Sequence, residues 1–255
     1  MPSRLTTPSF RLDGRRALVT GAGRGIGLAA ACALAQAGAH VTLVARSTGE
    51  VEAGCADIVG AGGQAQAGTL DVTDASAVAS FVALHGPFDI LVNNAGTNRP
   101  SLITEMSDAD LDAVLDLNVK ATMFVTREVA RGMIAADHGG SIITVSSQMG
   151  HVGGPRRSLY CATKHAVEGM TKALAWELGR RRIRVNTICP TYIETAMTAP
   201  MLADPAFLAF AENGTALGRV GRLDEVMGAI VFLAGDASSL VTGSALMVDG
   251  GWTAA

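Results

Sequence analysis

Surplus positive charge, paired cysteines, aromatic residues and long apolar runs are all scarce in this chain of 255 residues. Twenty Lys and Arg stand against 23 Asp and Glu, a formal net charge of -3. Gripping a phosphate backbone takes a clustered excess of cations, so no nucleic-acid partner is expected. The four cysteines (Cys32, Cys55, Cys161, Cys189) contain no C-x-x-C, and the five histidines show no ligand spacing with them or with each other. That pattern predicts no metal, and free thiols suited to a reducing cytoplasm. The longest uncharged run, Ile26 to Ala45, is interrupted by Gln36, Gly38 and His40 where a helix should turn into a strand, so no membrane partner or span is expected. Met1 to Arg16 has four Arg, two Pro and no apolar stretch, and so is expected to be neither signal peptide nor anchor. Residues 1–11 are read as a flexible tail before a single domain over residues 12–255.

What the chain does have is a large apolar content: 49% of residues are hydrophobic and 17% charged, enough for a substantial core. Short β-rich runs alternate with longer Ala-rich stretches. The runs are Ala17 to Thr20, Val41 to Val44, Ala65 to Leu70, Ile90 to Asn93, Ser141 to Ser146, Ile183 to Ile188 and Ala245 to Val248. Most lack polar alternation, which means strands covered on both faces, and the intervals are long enough for crossover helices. The expected fold is α/β, a Rossmann-type doubly wound parallel sheet of about seven strands with helices on both faces. Ligands of such sheets sit at the carboxyl ends of the strands, which is where chemistry should be sought.

After the first run comes Thr20-Gly21-Ala22-Gly23-Arg24-Gly25-Ile26-Gly27, opening directly into an Ala-rich helix. Glycines there let the backbone approach a pyrophosphate while the helix N-terminus supplies N–H donors, so Gly21, Arg24, Gly25, Ile26 and Gly27 are candidate dinucleotide contacts. The second strand ends at Val44-Ala45-Arg46-Ser47 without the Asp or Glu that would hold an adenosine ribose diol. Arg46, with Arg24, could pair with a 2′-phosphate instead, so NADP(H) is preferred and NAD(H) is the alternative. Asp71 and Val72 follow the third strand and face the expected adenine edge. Asn93, Asn94, Ala95 and Gly96 follow the fourth, offering small residues where a cofactor lies flat.

Ser146-Ser147 closes the fifth strand, and Tyr160-Cys161-Ala162-Thr163-Lys164 begins a helix running to about Arg180. A spacing of four sets Tyr160 and Lys164 on one helix face, where an ammonium should lower a phenol pKa from about 10 towards working pH. A tuned tyrosine can give or take a proton, and Ser147 can donate to the same substrate oxygen.

Over essentially its full length the chain resembles the short-chain dehydrogenases/reductases. The resemblance rests on T-G-x-x-x-G-x-G at Thr20 to Gly27, N-N-A-G at Asn93 to Gly96, and Y-x-x-x-K at Tyr160 to Lys164 with Ser147 thirteen residues earlier. It implies a hydride transfer between a nicotinamide and a secondary alcohol or ketone. It also implies that Asn118 holds a water feeding a proton relay and that Lys164 binds the nicotinamide ribose. Pro190 to Met197 resembles the family's P-G-x-x-x-T-x-M, so Pro190, Ile193 and Thr195 are expected at the nicotinamide carboxamide. Thr191 stands where the family usually has Gly, and is expected to reshape the pocket floor from an allowed backbone region.

The segment 196–218, with Met197, Met201, Leu202, Phe207, Leu208 and Phe210, resembles the family's mobile lid. Gln148 to Arg157 and Arg99 should bring amide, imidazole and guanidinium groups to the pocket mouth. Gln148, His151 and Tyr192 are the candidate substrate contacts, suiting a sugar, sugar acid or polyol. A 3-oxoacyl thioester reductase with the same catalytic residues is the second reading, and a non-catalytic dinucleotide-binding regulator the third. Ala162, Ala166, Gly169 and Ala173 form a small stripe on the Tyr160 helix, and Val167, Met170, Leu174 and Leu178 a large one. A helix apolar on two sides needs two partners. With the Asp108 to Ala136 helix and the resemblance, this points to a homotetramer.

Overall fold

The computed structural model describes residues 6–254, arranged around one seven-stranded sheet in the order β3-β2-β1-β4-β5-β6-β7. The strands are β1 (Arg16–Thr20), β2 (His40–Ala45), β3 (Gln64–Thr69), β4 (Ile90–Asn93), β5 (Gly140–Val145), β6 (Ile183–Pro190) and β7 (Ala245–Val248). Every neighbouring pair is parallel. Strand order reverses between β1 and β4, so the crevice above their carboxyl ends is the topological switch point where ligands bind.

The helices are α1 (Gly25–Gln36), α2 (Thr48–Gly60), α3 (Ala75–His85), α4 (Asp108–Leu115), α5 (Ala121–Ala136), α6 (Ser158–Leu178), α7 (Ala199–Leu202), α8 (Pro205–Asn213) and α9 (Leu223–Ala234). Apolar side chains of α1 and α9 fill one face of the sheet through Ala30, Leu34, Ile230 and Leu233. Those of α3, α5 and α6 fill the other through Val78, Val82, Val125, Met133 and Leu178. The buried strands explain the missing polar alternation, and the exceptions are the two edges, β3 and β7, neither of which has a fully buried residue.

Two sequence expectations change. The single helix expected from Asp108 to Ala136 is broken by a π-helical turn at Asp116–Lys120. An amide at its centre, Asn118, is buried and reaches across to a neighbouring loop, and a bulge of this kind aims one side chain at the expense of the regular ladder. Of the expected tail, residues 1–5 lie outside the described residues. The following stretch is held: Phe10 packs on Phe232 of α9 at 6.5 Å, and Arg11 donates to the Gln36 carbonyl at the end of α1.

Candidate active site

The β1–α1 turn depends on its glycines, some for backbone conformation and some for space. Gly21 and Gly25 have φ of 61° and 58°, in the left-handed region that side chains resist. Gly27 has ordinary φ, but a Cβ there would come 2.3 Å from the Gly21 carbonyl oxygen and 2.4 Å from the Asn94 amide. The Asn94 side chain donates to the carbonyls of Thr20 and Gly21 at 3.1 and 3.0 Å, tying the end of β4 to the turn after β1. Thr20 returns the tie, its hydroxyl accepting from the backbone N–H groups of Asn94 and Ala95.

Above this clamp lies a trough of about 390 Å³, lined by Gly21, Arg24, Gly25, Ile26, Arg46, Asp71, Val72, Asn94, Ala95, Gly96 and Thr195. A dinucleotide's phosphates fit the Gly25 end, where the α1 N-terminus faces the space and the nearest side chain is Thr195. Arg46 is exposed at the far end, and adds to the Thr73 hydrogen bonds that hold Asp71 below the usual carboxylate range. The residues present therefore suit a dinucleotide carrying an extra phosphate. Arg24 is less free than the sequence implied: Glu50, in the first turn of α2, pairs with it at 3.4 Å.

The trough runs into a second cavity of about 170 Å³, sharing Ile26, Asn94, Gly96, Thr195 and Met197 with it. Ser147, Tyr160, Lys164, Pro190 and Ile193 line this inner pocket. Ser147 ends the strand-to-turn transition after β5, its hydroxyl accepting from the Met149 N–H at 3.1 Å while lying beside the Tyr160 phenol. Lys164, one turn along α6 from Tyr160, is buried and donates to the Val145 carbonyl at 2.8 Å.

The titration behaviour differs from the expectation that Lys164 lowers the Tyr160 pKa. Burial pushes Tyr160 up to about 12, opposed first by the Ser147 hydrogen bond and then by the Arg157 charge. Burial also pushes Lys164 down to about 8, against smaller opposing effects of Cys189 and Glu168. Desolvation outweighs the pairing because the ammonium is turned to the Val145 carbonyl, its nitrogen 5.4 Å from the phenol ring centre. Asn118 accepts from the Thr97 N–H and donates to the Thr97 carbonyl and Thr163 hydroxyl, locking the loop after β4 against α6.

A nucleotide trough thus opens onto a serine, a tyrosine and a lysine at the ends of β5 and α6. A family profile described as Enoyl-(Acyl carrier protein) reductase matches residues 21–253. The gluconate 5-dehydrogenase of Gluconobacter oxydans (strain 621H) is 42% identical over 248 residues, covering 96% of this chain and 96% of that protein. The chain belongs to the short-chain dehydrogenase/reductase family. The 3-oxoacyl-[acyl-carrier-protein] reductase FabG of Thermotoga maritima is 40% identical over 246 residues, covering 95% and 99%. Among solved structures, a gluconate 5-dehydrogenase from Burkholderia cenocepacia J2315 in complex with NADP and tartrate superposes with a TM-score of 0.92. It is 39% identical, covering 96% of this chain and 98% of that one.

Within this short-chain dehydrogenase/reductase the expected substrate residues separate. Gln148 and Tyr192 line the inner pocket, and Thr191 lies in its floor without a positive φ. His151 does not reach it. Its imidazole turns beneath the site to Glu168 and Cys189, with Nε2 3.6 Å from the carboxylate and 3.4 Å from the thiol. Sequence separations of 17 and 21 residues hid this cluster from any spacing rule, and burial, with Glu168 second, pushes the Cys189 thiol up to about 12, so it donates to Glu168. Arg99 and Arg156 are also turned away, pairing with Asp110 and Glu105. In the lid segment Met197 and Met201 line the pocket, whereas Phe207 and Phe210 join Tyr192 and Trp252 in an aromatic cluster. Sequence reasoning missed Glu50 as a trough residue. The three-residue offset from Ser47 to the first turn of α2 was the available signal.

Proposed function

We propose that the chain catalyses NADP(H)-dependent interconversion of a secondary alcohol and a ketone in a polyhydroxylated substrate. The observation that carries this is the continuity of the two cavities, which sets Ser147 and Tyr160 where the far end of a cofactor in the trough would lie. Bound NADP(H) supplies or accepts the hydride. Tyr160 gives its proton to the substrate oxygen in reduction and takes it back in oxidation, and Ser147 donates a hydrogen bond to that oxygen as charge develops on it. With a pKa of about 12 the phenol stays protonated at neutral pH, which suits donation to a carbonyl. Lys164 binds the nicotinamide ribose and relays the proton, towards Tyr160 after reduction and away from it after oxidation. Asn118, its side chain occupied by Thr97 and Thr163, keeps the relay loop in place. Gly21, Arg24, Gly25, Ile26, Gly27, Asp71, Val72, Asn94, Ala95 and Gly96 hold the adenosine and phosphates, Arg46 the 2′-phosphate, and Pro190, Ile193 and Thr195 the carboxamide.

A substrate rich in hydrogen-bonding groups suits the buried Gln148 amide and Arg157 guanidinium in the pocket. Met197 and Met201 favour the second reading, a 3-oxoacyl thioester reductase. Following nicotinamide absorbance with aldonates, alditols, ketoses and acetoacetyl thioesters tests both. Turnover of thioesters alone would refute the first, and no turnover with tight NADPH binding would leave a dinucleotide-binding regulator.

The assembly proposed is a homotetramer in a reducing cytoplasm. Ala162, Ala166, Gly169 and Ala173 are all exposed on α6 while Val167 and Leu178 are buried, which leaves one apolar stripe for a second copy. Trp176 is 89% exposed on the same helix. The described cysteines are free, and no described helix is long and apolar enough to cross a membrane. Light scattering at micromolar concentration tests the assembly, and a monomer would refute it.

A further inference from the structure

Arg157 stands at the threshold of α6, three residues before Tyr160, and only 7% of it is exposed. Among the described residues no carboxylate pairs with its side chain. Nη1 is buried without a hydrogen-bond partner, Nη2 contacts the Met201 sulfur at 3.4 Å, and the remaining polar neighbour is the Tyr192 phenol, which accepts from the guanidinium but carries no charge. Arg184, half-buried at the opposite end of the sheet, shows the usual solution. Its Nη1 donates to the Ser238 hydroxyl at 2.7 Å and its Nη2 to the Gly235 carbonyl at 3.1 Å. A buried guanidinium with one nitrogen unpartnered and no charged partner is unfavourable unless something else supplies the acceptors.

Among the described residues seven buried side-chain polar atoms lack partners, and four of them belong to residues that line the inner pocket and have no other neighbour to turn to: Asn98 Oδ1, Gln148 Oε1, Arg157 Nη1 and Thr191 Oγ1. The hydroxyl of Ser146, a fifth lining residue, is turned to the Cys189 thiol. Their chemistry divides cleanly. The Asn98 and Gln148 oxygens are acceptors and call for hydroxyl donors. The hydroxyl of Thr191 serves as either. Arg157 is a donor only, permanently charged, and its planar fork matches a carboxylate through two parallel hydrogen bonds.

We propose that Arg157 is the carboxylate-binding residue of the substrate site, and that the substrate is a polyhydroxylated carboxylic acid, an aldonate or its keto form, rather than a neutral ketose or alditol. This rests on the function proposed above and narrows it. A neutral sugar would satisfy Asn98 and Gln148 but leave the guanidinium unpaired, so the site discriminates by leaving a charge unsatisfied.

The test uses matched pairs differing only in carboxylate against hydroxymethyl: D-gluconate with D-glucitol for turnover, and L-tartrate with L-threitol for binding in the presence of NADPH, which blocks their oxidation. With NADP(H)-loaded wild-type enzyme, tartrate is expected to raise Tm and threitol to leave it within error, and kcat/KM to favour gluconate over glucitol. In Arg157→Gln the acid-to-neutral ratio of kcat/KM should fall about 10- to 100-fold, the range of a charge-assisted hydrogen bond, mainly through KM. The tartrate shift should vanish while the shift caused by NADP alone remains. Arg157→Lys, which keeps the charge but not the fork, should restore part of both. Equal losses on acid and neutral substrate, an unchanged tartrate shift in Arg157→Gln, or a wild type that turns over only the neutral partners would each overturn the carboxylate assignment and leave the proposed function standing. Absence of any NADP-dependent Tm shift would instead overturn the proposed function.

Discussion

Replacing Lys164 by Met should abolish activity and yet make the protein more stable at neutral pH. The Lys164 pKa falls from 10.5 to about 8 on folding because burial disfavours the ammonium. Each pKa unit corresponds to about 1.4 kcal/mol, so keeping this charge inside at pH 7 destabilises the fold by about 3 kcal/mol. Removing the ammonium also orphans the Val145 carbonyl, now 2.8 Å from Nζ, which costs about 1–2 kcal/mol. The net expectation at pH 7 is a gain of about 1–2 kcal/mol, read as a shifted urea midpoint.

The pH dependence isolates the electrostatic part. Between the folded pKa of about 8 and the unfolded value of 10.5, the unfolded chain holds the proton that the folded one has lost. Stability of the wild type therefore rises with pH across that window relative to Lys164→Met, by about 2 kcal/mol between about pH 7 and 9.5. The carbonyl term does not titrate, so the difference curve should follow this slope whatever its offset. A flat difference, or one that falls as pH rises, would refute the claim that burial of Lys164 opposes folding. A flat curve would make the charge neutral to folding, and a falling one would make it stabilising.

Tyr160→Phe keeps the ring but removes the transferable proton, so kcat should drop about 10²- to 10⁴-fold with NADPH binding preserved by fluorescence titration. Because the Tyr160 pKa lies at about 12, alcohol oxidation by the wild type should keep rising through the alkaline range without a plateau, whereas a plateau near neutrality would contradict it. Gly27→Ala forces a Cβ to within 2.3 Å of the Gly21 oxygen and through the Asn94 clamp, and should lose about 2–4 kcal/mol in denaturant together with dinucleotide affinity. Gly60→Ala, with no atom within 4 Å, is the matching control and should be neutral or slightly stabilising. Arg46→Asp should move cofactor preference from NADP(H) towards NAD(H) by about 1–3 kcal/mol in kcat/KM, and an unchanged ratio would move the assignment to Arg24.

Local chemistry was enough to read the frame. Glycine at 21, 25 and 27, a tyrosine four residues before a lysine, and seven apolar runs are short-range patterns, and backbone sterics and helix periodicity turn them into a turn, a helix face and a sheet without further information. The strand at Ile90–Asn93 and the one at Ala245–Val248 fall where the residues put them. What the sequence could not decide was which charged and polar side chains turn inward. Arg156 and Arg157 are adjacent and chemically identical, yet a φ of 60° sends the first to Glu105 on the surface while the second is sealed beside Tyr160. His151 looks like a pocket residue until Glu168 and Cys189 arrive from a helix and a strand 17 and 38 positions away. The direction of the Tyr160 and Lys164 pKa shifts depended in the same way on depth. A spacing of four announces a Coulomb interaction, but desolvation is a property of everything packed around the pair, and only the folded chain supplies it.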